Sequence, residues 1–141
     1  KNTKLCIIEI ASKISYKYNN RYVHHILYDN ETYKNDIIVS EQTDEEIEED
    51  IINIIKELNN KKIIIVGHIV TYNKGKRYEL TNLLEQICNK YNILFINPVT
   101  EITKLGYNIK DLVIDEPIIS HYNELGHSVI EKIYSHYICQ N

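Results

Sequence analysis

The sequence predicts an α/β fold, a three-layer sandwich with helices on both faces of a mainly parallel sheet. Short apolar runs of the kind buried in parallel sheets recur at 5–10, 63–66 and 93–96. Amphipathic helical patterns alternate with them, at 43–58, 77–91 and from Asn123 onward. The 141 residues and 16.7 kDa suit a single domain, and a chain of this length buries roughly 68% of its unfolded surface.

The first run, Leu5-Cys6-Ile7-Ile8-Glu9-Ile10, reads as a buried strand ending in a small polar loop, Ala11-Ser12-Lys13-Ile14. Residues 13–42 are weakly patterned, with short strands expected at 23–28 and 36–40. Thr43 and Glu46 form a capping box, acids fill the first turn, and Ile47, Ile51, Ile54, Ile55 and Leu58 follow one helical face. Asn59-Asn60-Lys61-Lys62 turns the chain into the second strand, Ile63-Ile64-Ile65-Val66. A loop over 67–76 leads to a helix with Leu80, Leu83, Leu84, Ile87, Cys88 and Tyr91 at helical spacing, closed by Asn92. The third strand, 93–96, is expected to stop at Asn97-Pro98, and 99–120 reads as irregular. A last helix carries Leu125, Val129, Ile130, Ile133 and Tyr137 on one face. No internal repeat or interior linker interrupts this order.

Composition narrows the function by exclusion. Ile, Asn, Lys and Tyr make up 69 of 141 residues, a usage favoured by AT-rich codons, so the 12 Tyr do not by themselves argue for an aromatic binding surface. Net charge is −4, with +4 in residues 1–28, −9 in 29–50 and +1 in 51–141. No basic stripe of the kind that neutralises phosphates is present, so nucleic acid is not an expected partner. No apolar run approaches the roughly 20 residues of a spanning helix, so no membrane partner is expected. The chain begins at Lys1 and contains no Met, which predicts a processed chain or a piece of a longer parent. Cys6, Cys88 and Cys139 form no CxxC and no regular spacing, and Cys6 and Cys88 sit at apolar-patterned positions as small buried hydrophobes, which suits a reducing, cytoplasmic setting.

Strand order directs attention to three loops beyond the carboxyl ends of the strands, at 11–14, 67–76 and 97–123. His68 follows the second strand and is a candidate pocket residue. Adjacent His24 and His25 face opposite ways in an extended segment, and no third ligand has zinc-like spacing, so no metal is expected. Glycines are too few for a phosphate-cradling loop, and no cofactor is expected. Lys13 beside Ser12 does not make a Ser-Lys dyad, because neighbours at a strand end point apart. The most informative stretch is Asp115-Glu116-Pro117-Ile118-Ile119-Ser120-His121-Tyr122-Asn123-Glu124-Leu125-Gly126-His127. It puts a histidine in a Pro-containing loop just before a helix, where an imidazole can take a proton from a nucleophile. Asn123 is a natural N-cap, and Gly126 permits close backbone approach.

His121-Tyr122-Asn123-x-x-Gly126-His127 followed by an amphipathic helix resembles the last block of the SGNH (GDSL-type) hydrolases. That superfamily contains esterases, lipases and carbohydrate O-acetyl esterases or acetyltransferases on a flavodoxin-like sandwich. Residues 62–67, Arg77-x-x-Leu80 and 93–98 resemble the elements that precede this block, so the likeness covers about 43–138. The resemblance implies an esterase or acyl hydrolase acting on an ester or acyl group, with a saccharide ester as one substrate class. His121 is then the general base, and Asn123 shapes its loop and the substrate site with His68. A sugar acyltransferase of polysaccharide biosynthesis, or a binding module with a decayed site, are the alternatives.

The sequence departs from the family at two points. Ile118 occupies the position three before the histidine where the family has Asp, so either a bulged loop brings Asp115 or Glu116 to the imidazole, or the site works as a dyad, or it has decayed. No Gly-Asp-Ser exists in the chain. Either Ser12 is the nucleophile, or 5–10 is the middle strand, Ser12 is an oxyanion donor, and the nucleophile lies in an upstream segment of the parent.

Overall fold

The computed structural model describes residues 4–114 and 121–139, which gather into two compact units. One is built from the described residues of 1–11 and 60–141, the other from 12–59. Each is described by itself.

The first unit is an α/β sandwich, as the sequence predicts. Its sheet pairs β1 (Leu5–Ile10) with β5 (Lys62–Gly67), and β5 with β6 (Leu94–Ile96), all parallel, in the order β1-β5-β6. Residues 12–59, which intervene in the chain, form the second unit. The β-branched run places Ile64, Ile65 and Val66 at essentially zero exposure in the central strand, covered on both faces. On one face, Ile64, Val66 and Ile96 join a core with Ile102, Leu112, Val129, Ile130 and Ile133. Those partners come from α3 (Pro98–Lys104), the 3₁₀ turn Ile109–Leu112 and α4 (Glu124–Cys139). The other face receives α2 (Lys76–Lys90), which packs on β5 and β6 and buries Leu80, Thr81, Leu84, Ile87 and Cys88. Burial pushes the Cys88 thiol up to about 11, so it packs as a small hydrophobe. Asn92, in the left-handed region at φ 54°, turns the chain from α2 into β6.

The stretch 99–120 is not irregular throughout. Asn97-Pro98 starts a helix as well as stopping a strand: the Asn97 carboxamide oxygen accepts from the N–H groups of Val99 (3.1 Å) and Thr100 (3.4 Å), and Pro98 fills the first helical position. An Asn cap followed by Pro at the first helical position is a start signal as strong as the stop signal the same pair gives to a strand.

The second unit is an antiparallel sheet with one helix. β2 (Ile14–Tyr18) pairs with β3 (Arg21–Tyr22) and with β4 (Ile38–Glu41), in the order β3-β2-β4. Asn19 and Asn20 both adopt positive φ, at 49° and 61°, and make the two-residue hairpin turn whose twist matches the strands. The strand expected at 23–28 is instead a 3₁₀ turn, His25–Leu27. The imidazole Nδ1 of His24 accepts from the Ile26 N–H at 3.3 Å and curls the backbone out of extension. α1 (Asp44–Glu57) starts as the capping box predicts, with Glu46 N–H to Thr43 Oγ1 at 3.2 Å and Thr43 N–H to Glu46 Oε2 at 2.8 Å. It buries Ile47 and Ile51, and Lys13 pairs with Asp44 in its first turn. Thr43→Ala removes the side-chain half of the box, leaving the backbone N–H of residue 43 on the Glu46 carboxylate, and is expected to cost about 1 kcal/mol, read from the urea midpoint. An unchanged midpoint would mean that the helix start is held by other contacts.

Candidate active site

In the α/β unit the chain brings chemistry to the carboxyl ends of the strands. The Lys62 ammonium, at the start of β5, donates to the Tyr137 carbonyl in the last turn of α4 at 3.3 Å. α4 therefore runs against the strands, and its N-terminal approach, His121-Tyr122-Asn123, lies at the carboxyl edge.

That approach is clamped from both sides. The Ile114 N–H donates to the His121 carbonyl and the Asn123 N–H to the Leu112 carbonyl, each at 2.9 Å, flanking an antiparallel bridge between Val113 and Tyr122. The Asn123 side chain works in two directions. Its Nδ2 donates to the Asp111 carbonyl at 2.8 Å, and its Oδ1 accepts from the Gly126 N–H at 2.9 Å, capping α4. Gly126 is there because nothing larger fits: a Cβ on it would stand 2.2 Å from the Leu112 carbonyl oxygen. The imidazole of His121 is exposed on this fixed backbone.

A second imidazole lies at the same edge. Glu9 is in register with Val66 across β1 and β5, so its side chain leaves the sheet on the α4 face. Its Oε1 stands 2.6 Å from Nδ1 of His68, the first residue beyond β5. The carboxylate accepts an Nδ1–H there, so in the neutral ring Nε2 is the acceptor nitrogen. Nε2 is buried and, with the Tyr122 hydroxyl, has no hydrogen-bond partner among the described residues. Burial, with Tyr134 and the negative charge of Glu9 in support, raises the Tyr122 phenol far above its ordinary value, so it remains an O–H donor. Burial and Glu9 also push Tyr134 up to about 12.

The sequence candidates thus fall in different places. His121, Asn123 and His68 share the carboxyl edge of the α/β unit. Ser12 belongs to the second unit, where its exposed hydroxyl accepts from the Ile14 N–H at 3.0 Å in the turn that opens β2. Asp115 and Glu116 lie outside the described residues. Glu9 was not foreseen as the partner of His68. Its signal was a lone acid next to last in an otherwise apolar strand, a position that costs burial energy unless the charge has a use at the sheet edge. No family model matches the chain, nor does any curated protein or solved structure.

Proposed function

We propose that the chain is an acyl-ester hydrolase of SGNH-like type, with a histidine general base at the carboxyl edge of the parallel sheet. One observation carries this reading: His121 is an exposed imidazole on backbone held rigid by Asn123, Gly126 and the Val113–Tyr122 bridge. A base needs both properties. It must be reachable by the hydroxyl whose proton it takes, and its position must be fixed before substrate arrives. In the proposed step His121 takes the proton of a nucleophilic hydroxyl as that oxygen bonds to the acyl carbon. It then returns the proton to the departing alkoxide, so charge and atoms balance.

The test is made on the full-length protein with 4-nitrophenyl acetate and a fluorophosphonate probe. Turnover above the buffer rate, with labelling of one serine identified by peptide mass spectrometry, is the expected result. A second reading, a non-catalytic binding module, is favoured by Ser12, whose hydroxyl already serves its own turn. Absence of both labelling and turnover would establish that reading and remove the first.

A further inference from the structure

Beyond the imidazoles, the α/β unit contains a groove of about 290 Å³ that the sequence did not announce. It opens beyond the carboxyl ends of β5 and β6, between α2 and the start of α3, where open α/β sheets receive ligands. We infer that this groove is a binding site for one neutral, polyhydroxylated ring, a saccharide residue.

The lining decides the chemistry. Asn73, Asn82 and Asn97 bring carboxamides, Tyr78 a phenol ring, Thr81 a hydroxyl and Glu85 a carboxylate. Thr81 is 3% exposed, and its hydroxyl donates to the Arg77 carbonyl at 2.9 Å, so what it offers the groove is an acceptor. Asn97 Oδ1 is occupied in capping α3, so its Nδ2 is the part it can offer a ligand. The walls therefore offer both donors and acceptors, as a ring of hydroxyls requires, since each hydroxyl both gives and takes a hydrogen bond.

Other ligand classes fit less well. No Lys or Arg is among the described residues that line the groove, and Glu85 repels anions, which argues against a phosphate or a nucleotide. One carboxylate among amides is too few hard ligands for a divalent cation. Val70 and Val99 are its aliphatic walls, too small an apolar surface for an acyl chain or a lipid. Small-molecule sites run from roughly 300 to 1,000 Å³, so this one holds a single ring.

The inference stands apart from the hydrolase proposal, because it is read by binding. The full-length, ¹⁵N-labelled protein is titrated with methyl β-D-glucopyranoside, N-acetylglucosamine and glucose 6-phosphate, following backbone amide shifts. Saturable shifts at Asn73, Thr81, Asn82 and Asn97 with at least one neutral sugar, at millimolar Kd, are expected. Glucose 6-phosphate should bind about tenfold more weakly. Glu85→Gln, an exposed position on α2 where the fold is not at stake, should weaken the neutral sugar about tenfold and narrow the gap to the phosphate. Asn82→Leu should abolish the shifts. The inference is overturned if neither neutral sugar gives saturable shifts at these residues, if the phosphosugar binds more tightly, or if Glu85→Gln leaves every affinity unchanged. Each of these outcomes leaves the ester-hydrolysis test where it was.

Discussion

Gly126→Ala is expected to destabilise the protein by about 3 kcal/mol, the upper end of what overpacking costs. The added methyl would sit 2.2 Å from the Leu112 carbonyl oxygen and 3.1 Å from Cβ and Cδ1 of Tyr122. The nearest of these is backbone, and it cannot retreat freely, because the Leu112 oxygen accepts the Asn123 N–H at 2.9 Å and Leu112 itself has zero exposure. Alanine inside a helix would otherwise be favoured over glycine by about 1 kcal/mol, so propensity alone predicts the opposite sign. The two effects are therefore separable in one urea titration. Ser128→Ala, exposed two residues further along α4, is the control and should change stability by no more than about 0.5 kcal/mol. A Gly126→Ala protein as stable as the parent would show that the bridge of Val113 to Tyr122 can slide away from α4. The clamp on His121 would then lose its rigidity as an argument.

What the sequence made legible was whatever is encoded over a few neighbouring residues. The capping box at Thr43 and Glu46 is a four-residue signal, and α1 starts where it says. The run Ile63-Ile64-Ile65-Val66 can be buried on both faces only in the centre of a sheet, and β5 is the central strand. Two other local signals carry more than one meaning. Asn19-Asn20 is a hairpin turn, but in a chain this rich in Asn the pair was indistinguishable from background composition, so β2 and β3 went unforeseen. Asn97-Pro98 ends one element and begins the next, and only its first meaning was taken. The Glu9–His68 pair is of another kind. Its residues are 59 apart in the chain and meet because β1 and β5 pair in one register, a fact of tertiary pairing that no local pattern carries. The groove between α2 and α3 depends likewise on two helices, one of which the sequence reading lacked.

His121→Ala is expected to lower kcat for 4-nitrophenyl acetate by about 10³, within the roughly 10² to 10⁴ that a general base contributes. His68 and His121 are the two sequence candidates at the carboxyl edge, and accessibility decides between them. His68 is held by Glu9, but its Nε2 is buried, so a nucleophile's hydroxyl does not reach it without displacing the side chains around it. His121 is exposed, and its backbone is pinned through the bridge and through Asn123. Because the side chain is exposed, its removal should leave the urea midpoint within about 0.5 kcal/mol of the parent, so lost turnover cannot be blamed on lost folding. Added imidazole should restore part of the rate, a response that damage to the fold would not give. His127→Ala, an exposed imidazole in the first turn of α4, is the matched control and should keep kcat within about twofold. Asp115→Asn and Glu116→Gln complete the series. If either carboxylate orients His121, its loss should lower kcat with little change in KM, by up to the roughly 10⁴ that loss of an orienting carboxylate costs in serine proteases. Undiminished turnover in His121→Ala would remove it as the base, and a loss confined to His68→Gln would transfer that role to the Glu9–His68 pair. The edge would then have to open for catalysis, because the nitrogen doing the work is one that the resting structure keeps closed.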